Sequence, residues 1–374
     1  MKKILIFSLA YYPHVGGAEV SIKEVTDRIK DIEWHMVTLR FSNEPVEERI
    51  GNIFVYRIGS GSGRFSKFFF QFDATRKALE LYRKYHFDAV WAMMAHSSGV
   101  PVALFNIFHP KVPYALSLQE GDPISHIEST MLPLWPFFTR SFTKATIIFP
   151  LSNYLARWAE ARHFKGPIKI VPNGVNVTEF AGAPIAHEGI ILITTSRLVY
   201  KNAVDDGIKA LTFLPDLVQF HVLGVGPEEH NLKKLSRNLG VEKRVKFFGH
   251  IDLSNMPKYL HGADIFIRSS RTEGFGISFV EAMAAELPVI ATQEGGIADF
   301  LFDEKRNPDK NPTGWAVDKN SPEQIAGAVK EILANKEKTY RIVANAQKMV
   351  KEKYDWNLIA KDMKEYVFDI LFKK

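Results

Sequence analysis

The sequence contains no cysteine. Disulfides, thiolate metal sites and cysteine nucleophiles are excluded together, and a reducing compartment suits the chain. Long apolar runs are missing as well, since no window approaches the roughly 20 apolar residues that a membrane-spanning helix requires. After Met1, Lys2 and Lys3 the apolar stretch at 4–10 ends in Tyr11, Tyr12, Pro13 and His14 without a small-residue cleavage site. It reads as a buried first strand rather than a signal peptide. The expectation is a cytoplasmic protein, soluble or peripheral at the inner face of a membrane. Internal repeats and low-complexity tracts are also lacking.

Charge is unevenly spread. Residues 1–170 carry 21 Lys and Arg against 15 Asp and Glu, and the remainder carries 27 against 27, so the whole net charge of +6 lies in the first half. Phe65, Phe68, Phe69, Phe70 and Phe72 cluster there around Arg64 and Lys67. Basic residues mixed with aromatics suit a membrane surface better than nucleic acid. The alternative is a helix start that packs its phenylalanines into the core.

At 374 residues the chain exceeds what one hydrophobic core organises, so two domains with a site in the cleft between them are expected. Apolar runs of strand length at 4–9, 35–39, 53–58, 89–93, 114–118, 146–150 and 168–171 alternate with helical periods at 18–29 and 67–86 and a short one near Pro101. Pro172-Asn173-Gly174 interrupts the pattern as a turn, and the domain boundary is placed there. Strands at 189–195, 218–223, 245–248 and 265–269 then alternate with helices from about Ala203 and Glu228. Beyond Pro322 the chain reads as consecutive helices, broken at Tyr354-Asp355-Trp356. The fold class is α/β, with two parallel sheets whose ligands bind beyond the strands' carboxyl ends.

One segment carries chemistry. The apolar strand Ile265-Phe266-Ile267-Arg268 ends in Ser269-Ser270, and Arg271-Thr272-Glu273-Gly274-Phe275-Gly276 follows before helical period resumes. A glycine-rich loop entering a helix N-terminus favours phosphate, because amide donors there lack partners and the helix dipole adds positive charge. Glu273 in the loop and Glu281 in the helix add acceptors for hydroxyl groups, which phosphate cannot offer. Amides and carboxylates together suit a molecule with both phosphates and hydroxyls. Two glycines in a strand-loop-helix unit are common in themselves.

Glu273 and Glu281, separated by seven residues around Gly274-Phe275-Gly276, resemble the signature of retaining, nucleotide-sugar-dependent glycosyltransferases of family 4. The resemblance spans nearly the whole chain. It implies a GT-B fold: two Rossmann-like domains with parallel sheets facing across a cleft, residues 1–172 on the acceptor side and 173–355 binding the donor. A last helix at about 356–374 would pack back on the first domain. Ser196-Arg197-Leu198-Val199-Tyr200-Lys201-Asn202 then supplies Arg197 and Lys201 to the donor diphosphate, catalytic together with Glu273, which would hold the sugar. Glu281 would hold the ribose. Gly16, Gly17, Gly249, Gly274, Phe275 and Gly276 are implied near the donor. Many members have a histidine after the strand at 114–118, where this chain reads Gln119-Glu120-Gly121-Asp122. Gln119, Asp122 and His126 are the acceptor-side candidates in its absence, and His96 is open.

No Asp-x-Asp occurs in the chain. Neither an essential metal nor a cofactor is expected beyond the nucleotide-sugar substrate. The implied acceptor is a glycan or a lipid-linked hydroxyl, with peripheral membrane contact through the basic first domain. A sugar-nucleotide 2-epimerase of the same architecture and a non-catalytic nucleotide-sugar-binding protein are the alternatives. A carboxylate-pair hydrolase fits poorly, because Glu273 and Glu281 flank a helix start rather than oppose each other across a sugar.

Overall fold

Five strands of the first sheet are apolar on both faces, as a parallel sheet covered by helices on each side demands. The strands are β1 (Lys2–Phe7), β2 (Ile32–Leu39), β3 (Glu47–Ile50), β4 (Ile53–Ile58), β5 (Ala89–Met93), β6 (Tyr114–Leu118) and β7 (Ile147–Pro150). They lie in the order β3-β4-β2-β1-β5-β6-β7. All neighbours are parallel except the edge hairpin β3–β4. The computed structural model describes residues 1–373. They group as two units, Met1–Asn173 with the chain from Trp356 onward, and Gly174–Asp355.

The helices of the first unit are α1 (Gly17–Arg28), α2 (Arg64–Tyr85), α3 (Ala95–Phe108), α4 (Ile124–Met131), α5 (Trp135–Thr143) and α6 (Asn153–Ala161). Instead of a short helix near Pro101, α3 runs 14 residues with Pro101 inside it. Proline removes the amide that would bond the Ser97 carbonyl. The Gln71 side chain of α2 donates to that carbonyl at 3.2 Å in its place. The strand expected at 168–171 is reduced to a single bridge, Ile148 with Ile168. Pro167 and Pro172 leave it only four residues between them. A helix beginning at Trp356 closes this unit, where Arg28 donates to Asn357 at 3.0 Å. The Phe368 ring packs edge-on against Trp34 and Trp91 at 5.2 and 5.4 Å.

The second unit opens with α7 (Val177–Phe180) and continues through β8 (Ile190–Thr195), α8 (Val204–Ala210), β9 (Val218–Leu223), α9 (Glu229–Asn238), β10 (Val245–Gly249), α10 (Met256–His261), β11 (Ile265–Arg268), α11 (Ile277–Ala284), β12 (Val289–Ala291), β13 (Trp315–Ala316), α12 (Pro322–Ala334) and α13 (Lys336–Lys353). Its sheet order is β10-β9-β8-β11-β12-β13, parallel throughout. Leu192, Phe220, Ile265 and Ile290 of the strands share one apolar core with Ile208, Leu232, Ile325 and Val329 of the helices.

Both sheets reverse direction of growth once, at β1/β5 in the first and at β8/β11 in the second. At such a switch point the two following loops leave toward opposite faces, which opens a crevice at the carboxyl edge.

Candidate functional site

The loops after β8 and β11, the two switch-point strands of the second unit, carry Arg197, Lys201 and Glu273. Arg197 is exposed, and Lys201, half-buried, lies in the single helical turn Tyr200–Asn202. The Arg271 amide donates to the Lys201 carbonyl at 2.7 Å, which joins the two loops directly. The Arg271 guanidinium reinforces this by reaching Asp205 through two bonds of 2.9 Å and Asp206 at 3.3 Å, and it lies 4.3 Å from the Tyr200 ring. A bidentate arginine fixes geometry as well as charge. Asp205 is held below the ordinary carboxylate range because the pairing with Arg271 and Lys209 outweighs its burial.

Beneath the loop lies a buried polar network. Arg268, at the end of the apolar strand β11, pairs with Glu273 and donates to Ser278 at 2.8 Å and Asn202 at 2.9 Å. Asn202 in turn donates to the Arg197 carbonyl at 2.7 Å. Burial pushes the Arg268 guanidinium down, and the charge of Glu273 opposes that. The second oxygen of Glu273 accepts the Gly274 amide at 3.1 Å. Glu273 is thus anchored from both oxygens, with lone pairs left for a ligand.

Glu281 stands apart from this network. It is 7% exposed, and among the described residues no donor is bonded to it. Burial lifts its carboxyl from the ordinary 4.5 to about 7, with Arg268 pulling the other way. A buried acceptor with no protein donor is costly unless something else supplies one.

Glycines let the backbone close around these groups. Gly276 has φ +84 at the start of α11. Gly295, after β12, has φ +61, and a Cβ there would stand 2.0 Å from the Glu273 carbonyl. The adjacent Gly296 amide donates to that carbonyl at 3.0 Å. Gly249 accepts from the Gly224 amide at 2.7 Å, which draws the ends of β9 and β10 together. Phe275 turns away from the loop instead, buried against Phe300 and Tyr354 at 5.3 and 5.6 Å. Its ring anchors the loop in the core, which leaves the backbone of Phe275 as the part that could face a ligand.

Replacing Gly295 with alanine therefore combines a left-handed residue with a backbone collision, effects of ~1–2 and ~1–3 kcal/mol. A loss of ~2–4 kcal/mol in urea unfolding is expected. An unchanged midpoint would mean that the 292–296 turn does not bear on Glu273.

In the first unit, Gly16 and Gly17 follow β1, and the Gly16 amide donates to Glu19 at 2.8 Å. A Cβ on Gly17 would lie 3.7 Å from the Asn173 amide nitrogen. Gln119, after β6, donates to Ser21 and accepts from Asn173, both at 3.3 Å. Gln119, Gly17 and Asn173 thus form one group. Asp122 precedes α4 and His126 lies in its first turn, both exposed. The side chain that sequence reasoning passed over is Glu120: fully buried, it accepts the Ala95 amide at 2.6 Å and lies 3.4 Å from the His96 ring nitrogen. A carboxylate two residues past the end of an apolar run was the available signal. Arg268 gave the same kind of signal at the end of β11.

Among the described residues no group of three or more histidine and carboxylate side chains is arranged for a metal ion, and no helix is long and apolar enough to cross a membrane.

Two family models adjoin along the chain, glycosyltransferase family 4 over residues 15–179 and glycosyl transferases group 1 over 177–349. The chain is 28% identical over 260 residues to a GDP-mannose-dependent alpha-(1-6)-phosphatidylinositol monomannoside mannosyltransferase of Mycobacterium tuberculosis, a match covering 64% of this chain and 66% of that enzyme, just under two thirds of its length. A glycosyltransferase of Methanocaldococcus jannaschii is 24% identical, with 95% of this chain and 94% of the relative covered. Sucrose-phosphate synthase of Thermosynechococcus elongatus superposes with a TM-score of 0.84 over 100% of both chains at 17% identity. Anabaena HepE, solved with UDP and glucose, superposes at 0.81 over 98% of this chain and 100% of its own, at 19% identity. The fold is GT-B, and the chain belongs to glycosyltransferase family 4.

Proposed function

We propose that the protein is a retaining glycosyltransferase that moves a hexosyl group from a nucleotide-diphosphate sugar to a hydroxyl of a glycan or lipid-linked acceptor, at the cytoplasmic side. The observation that carries the reading is Glu281, a buried carboxylate without a protein donor, beside loops that present Arg197 and Lys201. A ribose diol supplies the donors that Glu281 lacks, and a diphosphate is the anion that Arg197 and Lys201, on the loop after β8, would attract. The relatives support this chemistry, since one uses GDP-mannose and a fold neighbour was solved with UDP.

In the proposed step the acceptor oxygen bonds to the sugar's anomeric carbon on the face from which the phosphate leaves. The carbon–phosphate-oxygen bond breaks, and the hydroxyl proton passes to the departing phosphate. The protein's share is to stabilise developing negative charge with groups already in place. Arg197, Lys201 and the start of α11 take that part without a metal in this reading, and Glu273 holds the sugar hydroxyls.

Thermal stabilisation by a panel of nucleotide sugars should identify the donor, because a ligand that binds only the folded state raises stability by mass action. Nucleoside diphosphate should then be released only when a hydroxylated acceptor is added. Conversion of the donor with no acceptor present would establish the 2-epimerase alternative, and stabilisation without turnover toward any acceptor would leave a binding protein.

A further inference from the structure

The exposed face of α2 has no partner in the described structure. Phe65, Phe68, Phe69 and Phe72 are 80%, 43%, 57% and 39% exposed. Their spacing of i, i+3, i+4 and i+7 puts them on one side of the helix. The opposite side buries Phe70, Gln71, Ala74, Thr75, Ala78 and Leu81 on the first unit. Packing into the core thus accounts for Phe70 alone among the five clustered phenylalanines. Phe68 stacks edge-on against Phe69 and Phe72, each at 5.7 Å, so these three rings form a continuous patch, and Phe65 lines a groove together with Phe69.

The patch has a charged border of one sign at its start. Arg64 and Lys67 are exposed in the first turns, which contain no acidic residue, and Arg76 is exposed one turn beyond Phe72. Beneath Phe65 and Phe69 an open groove of about 260 Å³, lined also by Ser60, Ser66 and the acidic Asp73, extends to Leu39 and Ile58, the last residues of β2 and β4. The groove therefore reaches the carboxyl edge of the sheet, the edge from which the Gly16–Gly17 loop also leaves, while the exposed rings and cations lie on the outer face of α2.

We propose that the Phe65–Phe72 face of α2, with Arg64, Lys67 and Arg76, docks the protein on an anionic lipid surface. Aromatic rings at the level of the headgroups with cations beside them are the chemistry of an interfacial helix. A second copy of the chain is the less suitable occupant, because a two-fold interface would set these cations against their own counterparts. The argument rests on α2 alone and does not depend on which acceptor the enzyme uses.

Co-sedimentation with vesicles tests it, using phosphatidylcholine alone and phosphatidylcholine mixed with phosphatidylglycerol, without donor or acceptor. Wild type should partition at least about tenfold more strongly to the anionic vesicles, given the contribution of each basic residue near such a surface. Phe65→Ser combined with Phe69→Ser, and separately Arg64→Glu combined with Lys67→Glu, should each lower that partition by about tenfold or more. Both double variants should keep the wild-type melting curve and the stabilisation by nucleotide sugar, which isolates the surface from the donor site. Equal partition to neutral and anionic vesicles, or none to either, overturns the proposal. So does a change from dimer to monomer in the phenylalanine variant without vesicles, which would make the face a self-interface.

Discussion

Lys201→Ala is expected to lower kcat by about 10²–10³-fold, the ~2.7–4 kcal/mol typical of one preorganised donor removed from a developing anion. The size follows from how Lys201 is held. Its carbonyl accepts the Arg271 amide at 2.7 Å, and Arg271 is itself fixed by Asp205, Asp206 and Tyr200. The segment is therefore set before substrate arrives, and little reorganisation remains for the reaction step. Donor affinity should fall much less than turnover, because the leaving diphosphate gains charge only as the anomeric bond breaks. Lys201→Arg should recover part of the rate, since it keeps the charge but replaces a compact ammonium with a planar fork. Arg197→Ala should act in the same direction, and the double variant less than additively if both cations serve one phosphate group. Steady-state rates with saturating donor decide the matter. A Lys201→Ala enzyme within about threefold of wild type would remove the charge-stabilising role assigned to this loop.

The architecture was legible where local pattern and tertiary role coincide. Strands such as Ala89–Met93 and Tyr114–Leu118 are buried throughout because both faces are covered, and their largely apolar runs stand out in the sequence. β3 does not stand out. Its Glu47-Glu48-Arg49-Ile50 is an edge strand with one side in water, and charge there discourages further pairing. The helices Ile124–Met131 and Trp135–Thr143 went unread because Pro133 between them and Pro136 at the start of the second resemble loop punctuation, although proline at the first positions of a helix is well tolerated.

The site divides in the same way. Its glycines and Glu273 are visible as a motif because they follow one another in the chain. The supports of Glu273 are not: Arg268 meets Asn202 across 66 residues, and Arg271 meets Asp205 across the same separation. No periodicity records such a contact. Phe275 sits inside the motif and yet serves the core, since its neighbours Phe300 and Tyr354 arrive from elsewhere in the chain.

Glu281→Gln should weaken donor binding by about 10²-fold at pH 8 and at the same time stabilise the unliganded protein. The two effects share one cause. Glu281 is buried without a donor, and its carboxyl is raised to about 7. Because the folded-state value lies above the unfolded one, the folded protein binds more protons between about pH 4.5 and 7. Its contribution to stability is complete below about 4.5 and is lost as pH rises through 7, a difference on the order of 3 kcal/mol. A glutamine has no charge to bury, so the gain from the substitution should be largest at pH 8 and vanish near pH 4.5 in urea titrations. Donor binding runs the opposite way. Hydroxyl groups donate to the ionised carboxylate, and bonds to a charged acceptor contribute ~1.5–3 kcal/mol each. Wild-type affinity should therefore fall about tenfold per unit below pH 7, with one proton released on binding, while Glu281→Gln binds weakly at every pH. Calorimetry in buffers of different ionisation enthalpy counts that proton. If wild-type affinity is level from pH 6 to 8 and no proton is released, Glu281 does not hold the donor, whatever the stability measurements return.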